Sequence, residues 1–254
     1  MVEVADPGQP SEAGRLAQKS TEQFRAGQID KAQEYAGDSA LAAAYTLLQQ
    51  IVGVMAFLLP PVLFFGNWAL TGNELESSIS AYYHTPMGGV FVGVLWALAV
   101  FFSSYNYKAL PGFKWDNRLS WVAAGAAVCV AIFPTTSDAS VSSRSEQNIG
   151  IVHMISAGVL FVLLAVFALV LFPRSAGEMT PRKRLRNMLY RTCGGIMAVA
   201  ILLMVVWRDP PESWHIFLAL ETICVVAFGV SWLIKGGFLG ILADKKPTPV
   251  PAAP

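Results

Sequence analysis

The chain has 254 residues, of which 54% are hydrophobic and 14% are charged. Soluble domains carry about 25% charged residues, so this composition, together with repeated long apolar runs, excludes an ordinary soluble protein and indicates a membrane protein. A formal net charge of +1 gives no basic footprint for binding nucleic acid. The three cysteines show no metal-ligand spacing and imply no disulfide framework.

Three segments follow one another along the chain. Residues 1–43 are polar and predict a partly helical cytoplasmic segment. Residues 44–236 predict an all-α transmembrane domain, a bundle of six helices, and the proline-rich residues 237–254 predict a disordered cytoplasmic tail. The six predicted spans are Tyr45–Phe65, Gly88–Tyr105, Leu119–Phe133, Ile149–Phe172, Cys193–Trp207 and Trp214–Ile234. About 20 residues cross the hydrocarbon core, so the third and fifth spans are short unless their flanks join them.

The lysines and arginines set the predicted orientation. Sixteen of the 18 lie in the N-terminal segment, the second-to-third and fourth-to-fifth connections, and the tail, whereas only Arg144 and Arg208 lie in the other connections. By the positive-inside rule both termini are cytoplasmic, and we expect a multi-pass protein of the plasma (inner) membrane. A basic run in the fourth-to-fifth connection either only sets this topology or also contacts anionic lipid headgroups. Its members are Arg182, Lys183, Arg184 and Arg186.

The even-numbered spans, which begin on the outer side in this topology, carry helix-capping signals at their starts. Thr85-Pro86 and Asp209-Pro210 each predict an N-cap followed by proline at the first helical position. Ser143 and Glu146 have the spacing of a capping box. Helix N-termini carry a partial positive charge, which favours a neutral histidine or a bound anion beside them.

All three histidines lie near these outer helix starts. His84 precedes span two, His153 begins span four and His215 begins span six. We therefore predict a polar pocket in the outer leaflet, lined by residues near the span starts and by one deeper carboxylate. The predicted lining residues are Ser80, Tyr83, His84, His153, His215 and Glu221.

Three histidines with a carboxylate or a water match the ligand set of a catalytic zinc site, so His84, His153 and His215 are candidate zinc ligands. The alternative is that each histidine makes only a structural hydrogen bond, since no pair has the ligand spacing of H-E-x-x-H. Glu221 likewise either serves the pocket or hydrogen-bonds across helices. The residue pattern leaves both alternatives open.

Two short motifs, S-I-S-A-Y-Y-H-T before span two and I-V-H-M-I-S-A-G in span four, resemble those of uncharacterised six-helix bacterial membrane proteins. The chain is more distantly similar to the six-span group of autophagy modulators and GPI-anchor remodelling proteins. This likeness covers about residues 45–235 and implies the six-helix fold but no catalytic residues. Ser80-x-x-x-His84 also resembles the serine–histidine pair of the zinc-dependent alkaline-ceramidase and adiponectin-receptor hydrolases. Those proteins have seven spans and a second histidine where Ala219 stands.

Three functional hypotheses follow. The first is a pocket that binds a lipid headgroup or small amphiphile, with or without a metal. The second is a metal-dependent hydrolase of lipid amides or esters, in which a carboxylate acts as base and Ser80 orients the intermediate. The third is an accessory or structural subunit without chemistry. Its spans would pack against partner subunits or a second copy, and changes at Gly89 or Gly93 would then abolish assembly.

Overall fold

The computed structural model describes residues 12–72, 75–104, 116–136, 143–174, 178–207, 215–238 and 240, with side chains from residue 39 onwards and, in the third helix, from residue 118. These residues form helices and turns and contain no strand, which confirms the predicted all-α class. A 3₁₀ turn covers Ser80–His84, and a π-helical turn, Phe167–Leu171, extends the fourth helix. The α-helices are α1 (Glu12–Thr71), α2 (Gly88–Ser104), α3 (Asp116–Ile132), α4 (Arg144–Val166), α5 (Pro181–Val206) and α6 (Ile216–Lys235).

Contacts divide the chain into two compact units, Met1–Thr46 and Leu47–Pro254. In the first unit the side chains are described only over its last turns, where the hydroxyl of Thr46 donates to the carbonyl oxygen of Ala42 at 2.9 Å. The second unit holds every feature discussed below. The segment bounds at residues 43 and 236 stay predictions, and the chain beyond residue 240 lies outside the described residues.

Four helical segments are long and apolar enough to cross a membrane: Ser39–Thr71, Arg144–Leu171, Pro181–Val206 and Ile216–Lys235. The helices α2 and α3 are apolar but shorter. With 17 residues, α2 is about 25 Å long at 1.5 Å per residue, against about 30 Å of hydrocarbon in a bilayer. The described chain therefore has the helical spans of a membrane protein, and four of the six predicted spans have full length.

The helix α1 does not end at its proline pair. We expect from the sequence either a kink at Pro60-Pro61 or the end of the regular helix there. The helix continues through both prolines to Thr71, beyond the predicted end of the span at Phe65, so the alternative of an end at the prolines is wrong and the kink stays a prediction. Pro60 is fully buried. Packing on the rest of the bundle therefore keeps this part of α1 helical against the local preference of proline.

Close backbone contact joins α1 to α6 through glycines. A Cβ atom added to Gly229 would lie 2.7 Å from the backbone nitrogen of Phe57 and 2.9 Å from the carbonyl oxygen of Gly53. A Cβ atom added to Gly53 would lie 2.7 Å from the backbone nitrogen of Leu233. At these distances there is no room for a Cβ atom on either residue. The two helices can therefore approach this closely only with glycine at both positions.

Other glycines of the membrane helices differ in how closely they are packed. A Cβ atom on Gly194 would lie 2.5 Å from Cγ of Leu169, so this glycine does allow a close contact between α5 and the π-helical turn. Gly195 has open space around it. Gly89 and Gly93 are exposed, and nothing lies within 4 Å of a Cβ atom added to either. This pair therefore makes no close contact within the described chain.

A cluster of aromatic rings fills the interior near the C-terminal end of α6. Its centre is Trp232, which is fully buried. The Trp232 ring meets Phe101 of α2 at 4.8 Å and Phe172, just after the π-helical turn, at 4.9 Å between centroids, both edge to face. This geometry suits the quadrupoles of the rings. We call the set the aromatic cluster; it consists of Phe101, Phe102, Phe167, Phe172, Phe228 and Trp232.

The helix starts follow the predicted caps only in part. The capping box of α4 is confirmed, because the Ser143 hydroxyl accepts from the Glu146 amide at 3.3 Å and the Glu146 carboxylate accepts from the Ser143 amide at 2.7 Å. At Thr85-Pro86 the predicted cap bond is present, because the Thr85 hydroxyl accepts from the amide of Met87 at 3.1 Å, but the regular α-helix begins two residues later than predicted. Thr85 ends the 3₁₀ turn with its hydroxyl on the carbonyl oxygen of Tyr82, and α2 begins only at Gly88. Asp209-Pro210 lies outside the described residues.

We expect Gly229→Ala to destabilise the protein by about 1–3 kcal/mol, because the new methyl group meets the backbone of α1 and overpacks the interface. Unfolding of the purified protein in detergent, followed by circular dichroism, measures this loss. Gly158→Ala, at an exposed position of α4 where nothing lies within 4 Å of an added Cβ atom, is the matched control. It adds the same methyl group in open space and is expected to be neutral or to stabilise its helix by up to about 1 kcal/mol. Equal effects of the two substitutions would contradict the proposed α1–α6 contact.

Candidate functional site

A polar insert, which we define as residues 75–87, lies between α1 and α2 and contains the 3₁₀ turn. It is bonded to the first turns of α6 in both directions. The amide of Leu218 in α6 donates to the carbonyl oxygen of Ser77 at 3.2 Å. In return, the carboxylate of Glu221 accepts from the amide of Ile79 at 2.6 Å. Each segment thus supplies the hydrogen-bond acceptor for a backbone amide of the other segment.

The local structure explains why both bonds are needed. The first amides of any helix have no partner within that helix. The residue before α6, His215, has a left-handed backbone with φ of 44° and gives no side-chain cap. The carbonyl oxygen of Ser77 in the insert therefore accepts from the amide of Leu218, where a side-chain cap is missing. Ile79 is in turn the residue that precedes the 3₁₀ turn, and Glu221 accepts from its amide and interacts with the backbone of Ser80.

The insert is also tied to the end of α1. The amide group of Asn67 donates to the Glu76 carboxylate at 3.4 Å, and the Glu76 backbone amide donates to the Tyr82 hydroxyl at 3.5 Å. Asn67 and Tyr82 are both buried, and the Tyr82 ring packs on Phe64 at 5.8 Å between centroids. Burial raises the pKa of Tyr82, so its hydroxyl stays neutral and can act as donor or acceptor.

Each histidine ring bonds to a different backbone carbonyl. His84 Nε2 lies 2.8 Å from the carbonyl oxygen of Thr135, and His153 Nδ1 lies 2.6 Å from that of Phe133. These two histidines therefore meet at the connection that follows α3. His215 Nδ1 lies 3.2 Å from the carbonyl oxygen of Glu76, in the insert. Because a carbonyl oxygen only accepts, the ring nitrogen is the donor in all three bonds.

No group of three His, Cys, Asp or Glu side chains is close enough to hold a metal ion within the part of the chain that the structure describes. The zinc site formed by the three histidines thus stays a prediction. His84 is exposed and His215 is half-buried. Tyr83, also half-buried, packs edge to face on the His84 ring at 5.3 Å.

A cavity of about 70 Å³ lies beneath the insert and has walls from α1, α2, α3, α4 and α6. A water needs about 10–15 Å³ of such volume, so this space accepts about five water-sized groups. Three of the six predicted pocket residues line it, namely Ser80, His153 and Glu221. The apolar wall consists of Ala56, Leu59, Ile79, Phe91, Leu95, Leu98, Val130, Ala157, Leu160, Phe161, Leu164, Val225 and Phe228.

His153 is the most deeply buried polar group of this cavity, with 2% of its surface exposed. Its Nδ1 atom is bonded to Phe133, as described above, and the backbone of Val130 also interacts with the ring, whereas its Nε2 atom makes no direct hydrogen bond to the described residues. A buried polar atom without a partner costs about 1–3 kcal/mol. Such atoms are uncommon in folded proteins and call for an explanation, often a bound water or ligand.

The serines of the insert bond to one another. The Ser78 and Ser80 hydroxyls lie 3.1 Å apart, and Ser78 also accepts from the amide of Ala81 at 3.0 Å. Ser80 is half-buried. These contacts keep the Ser80 hydroxyl at the rim of the cavity and give the 3₁₀ turn a second side-chain bond.

The basic run lies in the first turns of α5. Lys183 is 5% exposed, and its ammonium group donates to the carbonyl oxygen of Glu178 at 3.3 Å, so this cation is turned into the protein. Arg184 is exposed and lines a surface groove together with the apolar side chains of Met179, Leu185 and Met188. Contact of the run with anionic lipid stays a prediction, and Arg184 is its member best placed for it.

Several parts of the site could not be identified from residue types. The carbonyl groups of Ser77, Phe133 and Thr135 receive the key bonds, and backbone atoms carry no signal in the sequence. Asn67, by contrast, is recognisable in the sequence, because it is a lone amide side chain at the end of a long apolar run. A polar side chain in that position indicates a partner inside the bundle.

No protein-family model matches the chain, and neither curated proteins nor solved structures gave a match. The resemblance to six-helix bacterial proteins therefore stays an expectation. The functional argument rests on the residues of this chain alone.

We expect Glu221→Ala to lower the free energy of unfolding by about 1–3 kcal/mol, because the amide of Ile79 then lacks its acceptor. Glu221→Gln keeps one oxygen and should lose less. Thr222→Val is the control on the same helix, since the Thr222 hydroxyl is buried with no partner among the described residues and its removal should cost nothing. Unfolding in detergent measures all three. If the Glu221→Ala protein has the same free energy of unfolding as the wild type, the bond does not hold the insert on α6.

Proposed function

We propose that this membrane protein binds a small amphiphile in the cavity beneath the insert. The observation that carries the proposal is the presence of two ionisable side chains, His153 and Glu221, among the lining residues of an otherwise apolar cavity. Ligand sites combine an apolar wall with a few polar groups that orient the ligand, and this cavity has that composition. Ionisable residues inside a bundle are costly, so His153 and Glu221 are best explained by a role in the site.

The proposal includes the predicted topology. Six spans with both termini on the cytoplasmic side use α2 and α3 as short membrane helices. A short span is accommodated by local thinning of the bilayer or by flanking residues that reach the interface. The distribution of lysine and arginine supports this orientation. It puts the insert and the cavity in the outer half of the plasma (inner) membrane.

A second candidate function is that of an assembly subunit, and one observation favours it. Gly89 and Gly93 lie exposed on one face of α2 with open space around them. Small residues four apart let a second helix approach closely in a membrane. A helix of a partner subunit or of a second copy would fit there. Such packing and ligand binding in the cavity use different surfaces and do not exclude each other.

The ligand proposal predicts that filling the cavity prevents binding. Ala157 lines the cavity, and Ala157→Phe places a ring inside it. We expect the wild-type protein, purified in mild detergent, to carry a small amphiphile that solvent extraction and mass spectrometry detect, and the variant to lack it. The control is Ala198→Phe, which adds the same ring at an exposed position of α5. Equal ligand content in the two variants would place the ligand elsewhere.

The topology predicts which positions a membrane-impermeant maleimide can reach in intact cells. In a variant without Cys129, Cys193 and Cys224, we expect Arg144→Cys to react and Glu178→Cys to react only after the membrane is opened. Both positions are exposed, so a difference between them reports the side of the membrane. The reverse pattern would overturn the orientation, and labelling of both in intact cells would overturn the six-span arrangement.

A further inference from the structure

The lining residues of the cavity differ in exposure, and the difference shows on which side the cavity opens. Eleven of the 16 lining residues are buried, whereas five are half-buried. These five are Ser80 in the insert, Ala157 and Phe161 on α4, and Glu221 and Val225 on α6. The cavity therefore opens between α4 and α6, next to the insert.

The packing of the helices leaves this side uncovered. The helices α4 and α6 make little direct contact with each other, and α5, which packs on both, adds no described side chain to the cavity wall. Gly194 of α5 meets Leu169, which lies about two helical turns beyond Phe161. Towards the C-terminal end of α5, none of residues 201–207 is buried. Helix α5 therefore does not close the space between α4 and α6 at the level of the cavity.

The surface inside the cavity is almost entirely apolar. Its two ionisable side chains direct polar atoms to the backbone. Glu221 accepts from the amide of Ile79, and Nδ1 of His153 donates to the carbonyl oxygen of Phe133. Mainly the carbon atoms of these side chains are left to line the space. A charged or strongly polar headgroup would lose its hydration in this cavity without new partners, which is costly.

The opening lies at the depth of the lipid chain ends in the proposed six-span topology. Helix α6 begins at Ile216 on the outer side, and Val225 follows nine residues later. At 1.5 Å per residue this distance is about 14 Å, which is close to half of the roughly 30 Å of hydrocarbon in a bilayer. The two leaflets meet at this level, so the ends of their alkyl chains face the opening.

We propose that the cavity binds the end of an alkyl chain, which enters from the membrane between α4 and α6 while the polar end of the amphiphile stays outside. The volume of about 70 Å³ suits a chain end, because about five water-sized groups fill it. This inference rests on the proposed ligand cavity and adds the orientation of the ligand and its source, a lipid of the outer leaflet. It reverses the expected binding of a headgroup, since the apolar end is held.

Photolabelling of the full chain in lipid vesicles tests the orientation and the source. The vesicles consist of phosphatidylethanolamine and phosphatidylglycerol, with a small share of phosphatidylethanolamine that carries a diazirine on one acyl chain, either at the chain end or beside the glycerol. A third probe, hexanol with a diazirine, is added from water. Mass spectrometry identifies the labelled residues. Labels are sought on the buried wall of the cavity, which we define as Leu95, Leu98 and Val130.

We expect the chain-end probe to label the buried wall above the level found at Leu63 and Met197, which are fully buried but do not line the cavity. The probe with its diazirine beside the glycerol should give only this reference level. Ala157→Phe, at the opening, should lose the chain-end labelling, and Ala198→Phe on α5 should keep it. The comparison of probes uses the wild-type chain and stays valid if a variant fails to fold.

The other outcomes separate the inference from the proposal on which it depends. If only the alcohol labels the buried wall, the cavity binds an amphiphile from water, and the inference is wrong while the proposed function remains. If the glycerol-side probe labels the buried wall as strongly as the chain-end probe, the orientation is wrong and the inference is overturned. If none of the probes exceeds the reference level, the ligand cavity itself is wrong.

Discussion

The paired bonds between the insert and the start of α6 are the constraint on which the site depends. The carbonyl of Ser77 satisfies the first turn of α6, and Glu221 accepts from the amide of Ile79, just before the 3₁₀ turn. Ile79 is buried, and a buried amide without an acceptor costs about 1–3 kcal/mol. The two segments are therefore held together by the cost of separating them. A loop that would otherwise be mobile thereby becomes a fixed roof over the cavity.

The cavity exists because the two ends of the bundle are closed in different ways. At one end, the rings of the aromatic cluster pack around Trp232, which is fully buried. At the other end, the closing element is the insert, whose polar side chains hydrogen-bond to backbone groups and to one another while Ile79 and Tyr82 are buried in the interior. Ser80 and Ile79 line the cavity from this roof, and Phe228 belongs to both the cavity wall and the aromatic cluster. The cavity thus lies between the insert and the aromatic cluster, and both contribute to its wall.

The sequence predicted the features that depend on residue type and failed for those that depend on backbone geometry. The apolar runs identified the helices, and the capping box at Ser143 was recognisable because its two side chains have a fixed spacing. The gathering of the histidines at one end was visible as well, but their partners were not, since all three rings bond to main-chain carbonyls. Thr85-Pro86 marked the cap bond, but a local turn, in which the amide of Gly88 donates to the carbonyl oxygen of Thr85, precedes the regular helix. Glycine spacing pointed to Gly89 and Gly93, whereas the close backbone contact between α1 and α6 uses Gly53 and Gly229, which are distant in sequence.

That contact decides where a ligand can lie. Because Gly229 lets α6 touch the backbone of α1 near Phe57, the two helices leave no gap at that level. Ala56 and Leu59, on the neighbouring turn of α1, and Val225, one turn before Gly229, instead face the cavity. The position of α6 is thus fixed at two points, by glycine contact with α1 and by Glu221 at the insert. The walls of the cavity between these points cannot shift without breaking one of them, and the His153 side chain belongs to the wall contributed by α4. A space that is already formed costs less ordering on binding than one that must be assembled around its occupant.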